Sequence, residues 1–206
     1  MQSVDPTGTQ EQAVSSLAEA AFALLAAFPA ARSFVMDRPT CTKYRALMPE
    51  TLPATRWLAD AVALSSPATA PLMAMLADTA ADLAWRQTYS AADFGPAFLD
   101  RYGWAELLGP SGSIESDAMR CGFLILGPDL HYPSHAHEAE ELYLPLAGTA
   151  LWQRGEAVPA PVPPGAPIHH PSWIPHAMWT RSEPLVAFYC WRGGVLDAKP
   201  KIVGRG

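Results

Sequence analysis

The nine residues His135-Ala136-His137-Glu138-Ala139-Glu140-Glu141-Leu142-Tyr143 decide how this chain is read. Side chains alternate across a strand, so His135 and His137 point to one face of an extended segment. By the same parity Glu141 and Tyr143 enter one cavity together. His176 follows after a Pro- and Gly-rich interval, on a later strand that can close a site around one divalent ion. All six histidines fall between His131 and His176, and none precedes His131. Three neutral imidazoles (His135, His137, His176) and one carboxylate (Glu141) form a mixed nitrogen and oxygen donor set. Such a set suits one Zn, Fe, Mn, Ni, Co or Cu ion, with positions left open for water or substrate.

The surroundings of this segment read as β-structure. Met119 to Leu126, Leu142 to Leu146, Thr149 to Arg154, Ala166 to His170, His176 to Thr180 and Leu185 to Trp191 are short apolar runs. Gly127-Pro128, Ala147-Gly148, Pro163-Pro164-Gly165 and Glu183-Pro184 separate them as turns. Short strands at this spacing predict a sandwich or small barrel. Leu185-Val186-Ala187-Phe188-Tyr189-Cys190-Trp191 is apolar on both faces, so one face is expected between sheets and the other in the barrel interior. Before residue 105 the composition changes to alanine and leucine. Gln10 to Phe28 and Ala68 to Tyr89 carry apolar residues at helical spacing, with Pro71 in the first turn of the second helix. The expected architecture is mainly β: residues 1–104 form an α-helical N-terminal extension, and residues 105–206 an antiparallel β-barrel with the metal site.

Composition narrows the function. Half of the 206 residues are hydrophobic and 17% are charged, which provides for a real core. A net charge of -6 points away from nucleic acid, which would call for a basic stripe. No apolar run reaches the roughly 20 residues that cross a bilayer, and Ala18 to Ala31 reads as a helix rather than a signal peptide, so no membrane partner is expected. Cys41, Cys121 and Cys190 are scattered and read as inert buried thiols in a reducing cytoplasm. The apolar N-terminal helices offer a possible homodimer face.

The segment His135-x-His137-x-x-x-Glu141-x-x-x-x-x-x-Gly148 resembles the first cupin motif, and Pro164-Gly165 with Pro175-His176 resembles the second. Gly127 stands further from His135 than the motif glycine, and no asparagine follows His176 at the usual interval. These departures concern turn geometry more than ligands. Tyr132, His135, His137, Glu141, Tyr143 and His176, with Tyr189-Cys190-Trp191-Arg192-Gly193, are similar to the cupin-type dimethylsulfoniopropionate lyases. That resemblance implies a cupin-like double-stranded β-helix, cleavage of a small zwitterion into acrylate and dimethyl sulfide, and a divalent metal cofactor.

Chemistry assigns roles within this frame. A metal ion takes the substrate carboxylate and acidifies the α-proton, which a base must remove. Tyr143 is the first candidate base and Tyr132 the second. Trp191 and Tyr189 are candidates for holding the sulfonium against aromatic faces, and His131 is a candidate substrate contact near the turn expected at Pro133. His169 and His170 are expected at the cavity rim or on a loop, and Glu138 and Glu140 on the solvated side. An iron-dependent dioxygenase, an isomerase and a non-enzymatic module binding metal or a small anion use the same cage and stand as alternatives.

Overall fold

The computed structural model of the chain describes residues 6–40 and 43–204. Cys41, expected as a buried thiol, lies outside the described residues. The helices are α1 (Pro6–Ala26), α2 (Arg32–Met36), α3 (Leu58–Val62), α4 (Ala70–Thr79), α5 (Ala91–Phe94) and α6 (Pro96–Leu99). In α1, Val14, Leu17, Ala18, Ala21, Phe22 and Leu25 recur at three- and four-residue spacing and are all buried. Burial of a large apolar side chain contributes about 1.5–3 kcal/mol, so this face of α1 helps to hold the chain's own core together. Among the described residues no single helix is long and apolar enough to cross a membrane.

The strands are β1 (Lys43–Tyr44), β2 (Trp85–Arg86), β3 (Tyr102–Gly109), β4 (Ile114–Glu115), β5 (Met119–Leu126), β6 (His131–Ala136), β7 (Glu140–Ala147), β8 (Ala150–Arg154), β9 (Ala160–Val162), β10 (Ile168–His170), β11 (His176–Trp179), β12 (Leu185–Arg192) and β13 (Lys201–Ile202). The larger sheet runs β1-β4-β3-β5-β12-β7-β10, with β2 pairing on β3, and the smaller runs β13-β6-β11-β8-β9. Gly148 makes the turn from β7 to β8 with φ 76°, and a Cβ there would sit 1.8 Å from the Pro184 carbonyl oxygen. Only glycine fits that approach.

Two cores follow from the alternation along the strands. Cys121, Phe123, Leu142, Leu144, Val186, Phe188 and Cys190 pack with the helices on one face of the larger sheet. Leu124, Tyr143, Ala187, Tyr189 and Trp191 face the smaller sheet, with Trp152 and Met178. The fully apolar strand β12 therefore does not have both faces inside the barrel system as expected: its even-numbered face lies under the helices. The helix expected over residues 68–89 also stops early, at Thr79. A 3-10 turn follows, and β2 then pairs Trp85 and Arg86 with Ala105 and Trp104. Buried Trp85 fixes this ending by donating its indole N–H to the Ala80 carbonyl at 2.9 Å.

Candidate metal centre

Both sheets contribute to the histidine cluster. His135 comes from β6 and His176 from β11, directly opposed in register. His137 lies just past the end of β6, where Trp173 donates its backbone N–H to the His137 carbonyl at 2.8 Å. One ligand atom from each of the three buried imidazoles lies within 4.8 Å of the others. The orientation of each ring is set by a bond two residues away in the chain. His135 Nδ1 bonds the Pro133 carbonyl at 2.8 Å, His137 Nδ1 the Ala139 carbonyl at 2.9 Å, and His176 Nδ1 the Ile174 carbonyl at 3.0 Å. A carbonyl only accepts, so each Nδ1 carries the proton and each neutral ring offers an Nε2 lone pair.

Glu141, on β7 of the other sheet, closes the group. Its Oε2 is 3.0 Å from His137 Nε2 and 3.1 Å from His176 Nε2. The His176 nitrogen is buried and, among the described residues, lacks hydrogen-bond geometry to any partner. The other carboxylate oxygen, Glu141 Oε1, accepts the indole N–H of Trp191. Lone pairs of imidazole and carboxylate thus face one another in a buried space, an arrangement that a cation relieves. The donor types and the carbonyl-anchored Nδ1 atoms fit a transition metal, and this buried three-histidine group can hold one.

A cavity of about 190 Å³ opens beside the cluster. Its wall includes Glu141, Tyr143, Tyr132, Tyr189 and Trp191 together with Tyr102, Trp104, Leu124 and Arg120. Tyr143 and Tyr189 are direct register partners on β7 and β12, as are Glu141 and Trp191. Tyr132 stacks on His135 at 4.2 Å between centroids, and its hydroxyl lies 3.3 Å from that of Tyr89. That stack depends on the irregularity in the β6–β11 pairing between His176 and Met178, which brings Tyr132 and His135 to one side. The chain makes no turn at Pro133; it bulges within a continuous strand. His131 stays outside the cavity wall, exposed, with its ring stacked on Trp179 at 4.6 Å.

Several neighbours carry no sequence signal of their own. Arg120 places its guanidinium over Trp104 at 4.6 Å and Trp191 at 5.3 Å, and pairs with buried Glu106 at 2.8 Å. Trp191 in turn stacks on His137 at 3.9 Å. His169 and His170 sit on β10 rather than on a loop: His169 bonds Glu140 at 2.6 Å, while His170 is buried against His176. Glu140 also takes Arg192 at 2.8 Å, so it ties neighbouring strands together instead of standing free in solvent. Glu138 is exposed, as its place on the ribbon suggested.

Burial sets the protonation of the group. It pushes His135 well below the usual imidazole range, helped by His176, and lowers His170 to about 3. Burial alone would raise the Glu141 carboxyl, whereas a proton on the facing nitrogen of His137 or His176 would hold it well below its usual range. His135 and His170 bind fewer protons in the folded chain than in the unfolded one, whose histidines titrate near about 6.5. Stability of the metal-free protein is therefore full above about pH 6.5 and falls as the pH drops toward about 4. Urea midpoints across that range are expected to decline steadily; a flat profile would contradict these protonation states.

Comparison with known proteins places the chain in a family. The family model for dimethylsulfoniopropionate lyase matches residues 31–187. The dimethylsulfoniopropionate lyase DddQ of Ruegeria pomeroyi is 37% identical over 114 residues, which span 55% of this chain and 57% of that protein. The DddL lyase candidate of Cereibacter sphaeroides is 31% identical over 172 residues, 82% of this chain and 68% of that protein. The crystal structure of DddQ from Ruegeria pomeroyi superposes with a TM-score of 0.85 at 31% identity, covering 93% of this chain and 96% of that one. A chain from the crystal structures of the lyases RdDddP and RnDddQII gives 0.87 at 33% identity, covering 94% and 98%. The fold is accordingly mainly β, a cupin-like antiparallel barrel with an α-helical N-terminal extension. By the family match and the full-length superpositions, this chain belongs to the dimethylsulfoniopropionate lyases, a family of carbon–sulfur lyases.

Proposed function

We propose that this chain is a metal-dependent lyase that splits dimethylsulfoniopropionate into acrylate, dimethyl sulfide and a proton by β-elimination. The observation that carries the reading is the shared wall. Glu141 and Tyr143 line the cavity, and at the same time Glu141 lies 3.0 Å from His137 and 3.1 Å from His176, with the Tyr143 ring 6.4 Å from that of His176. His135, His137, Glu141 and His176 would hold the ion. When bound there, a divalent metal supplies Lewis acidity toward the substrate carboxylate and favours the phenolate form of a nearby tyrosine.

Tyr143 takes the α-proton onto its phenolic oxygen. The electron pair of that C–H bond becomes the new carbon–carbon double bond, and the β-carbon–sulfur bond breaks with its electrons on sulfur. Tyr143 is favoured over Tyr132 because the Tyr132 ring lies flat on His135 and its hydroxyl is turned to Tyr89. The sulfonium is held by tyrosine faces of the wall, Tyr189, Tyr102 and Tyr132, each contributing about 0.5–2 kcal/mol where a cation meets a ring. Trp191 contributes mainly by orientation, since its ring contacts His137 and Arg120 and its N–H is spent on Glu141. His131 takes no part in this scheme.

Purified protein given dimethylsulfoniopropionate is expected to release dimethyl sulfide into the headspace and acrylate into solution in equal amounts. A chelator should abolish release, and added divalent metal should restore it. Absence of volatile sulfide with every metal of the Mn-to-Zn series, or a product carrying oxygen from O2, would replace the elimination with oxygenase chemistry.

A further inference from the structure

Each of the three imidazoles has one aromatic ring lying close to flat against it. Tyr132 covers His135 with 16° between planes, Trp191 covers His137 with 27°, and His170 covers His176 with 16° at 4.1 Å between centroids. The first two belong to the cavity wall; His170 does not. We propose that His170 is a positioning residue that orients His176 for metal capture, through the face of its ring and not through its nitrogens. The proposal rests on the metal reading of the site above.

The topology makes His170 suited to this task. It sits on β10, paired in register with Glu141 on β7, whereas His176 belongs to the facing sheet. His170 is therefore a contact, beside Glu141 itself, through which the sheet carrying the carboxylate bears on His176 from the other sheet. The bond from His176 Nδ1 to the Ile174 carbonyl fixes one point of that ring and, taken alone, does not set its swing about the N–H···O direction; the His135 ring meets it at 60° and His170 nearly flat, both at 4.1 Å. A plate against its face removes that swing and keeps Nε2 aimed at Glu141. His170 is 1% exposed, lies nearly parallel to Trp152, and has no hydrogen bond at either nitrogen among the described residues. A ring held without hydrogen bonds contributes its shape and its π-face alone.

The test uses the full chain, stripped with chelator and titrated with Co2+ against a chromophoric competitor, with the d–d absorption recorded at saturation. His170→Ala is expected to weaken Co2+ binding about 10–100-fold, the range for residues that orient a ligand, and to change the absorption envelope. His170→Phe keeps a flat ring and is expected to restore both, with a Tm no lower than the wild type. Should His170→Ala fail to fold, His170→Leu fills the space without a flat face and takes its place. Wild-type Co2+ affinity and spectrum in His170→Ala or His170→Leu would overturn the proposal. So would a well-folded His170→Phe that binds no better than His170→Ala, because a ring nitrogen would then be at work. A wild-type protein that takes up no Co2+ would overturn the metal reading itself, and this proposal with it.

Discussion

Tyr143→Phe is expected to lower the rate of dimethyl sulfide release by about 10²–10⁴-fold, the range for losing a group that transfers a proton in the transition state. The fall should appear in kcat, with KM changed much less, because the phenolic oxygen is used at the moment the proton moves. In the folded chain burial pushes the Tyr143 phenol well above its usual range, and the Glu141 carboxylate adds to the effect. Left to those surroundings it stays protonated and is no base. A divalent ion held by His135, His137, Glu141 and His176 would reverse the balance, because a nearby cation favours the anionic form of a phenol. Metal occupancy should accordingly be unaltered in Tyr143→Phe, while turnover disappears. Tyr132→Phe keeps the ring on His135 and removes only a hydroxyl 3.3 Å from that of Tyr89, so it should cost far less. A larger loss in Tyr132→Phe than in Tyr143→Phe would move the proton transfer to Tyr132.

The contrast between these two tyrosines shows what the sequence could disclose. Glu141 and Tyr143 share the regular strand β7, where period-two parity holds, and both reach the cavity as parity says. Tyr132 and His135 are three residues apart, which parity places on opposite faces. The β6–β11 irregularity brings them together instead, and no spacing rule reveals a bulge in advance. The strand β6 was itself hidden. His131-Tyr132-Pro133-Ser134-His135-Ala136 does not read as an apolar run, because residues that serve the site occupy its inward face. Strand β3 was missed for a different reason: its start at Tyr102 coincides with the change in composition near residue 105.

Contacts between strands far apart in the chain were the least legible. Arg120 over Trp191, and His170 over His176, join residues from different strands whose meeting depends on how the elements pair and pack. The covering of β12 by helices belongs to the same class. An apolar strand announces that both faces are buried, but not what buries them. One part of the orienting shell does lie near the histidines in the chain. The carbonyls that fix His135, His137 and His176 belong to residues two positions away, and prolines at Pro133 and Pro175 hold two of these local geometries.

Glu141→Gln separates the carboxylate as metal ligand from the carboxylate as structural partner. In the wild type its Oε2 faces lone pairs on His137 and His176 at 3.0 and 3.1 Å, with no proton between them unless a ring is doubly protonated. A glutamine amide placed there has two N–H donors, one for each imidazole, and its oxygen can still accept from the Trp191 indole. The variant satisfies by itself the demand that a cation otherwise meets. Metal-free Glu141→Gln is therefore expected to melt above the metal-free wild type, while its metal affinity falls by more than about 100-fold, beyond the loss typical of outer residues. Thermal shift makes the two effects visible together. Saturating metal should raise the wild-type Tm, since an ion at about 100 times its Kd adds about 2.7 kcal/mol, and should leave the variant where it was. Dimethyl sulfide release should vanish with it. A metal-induced shift as large in Glu141→Gln as in the wild type would confine the ion to the three histidines, and Glu141 would then act through hydrogen bonding alone.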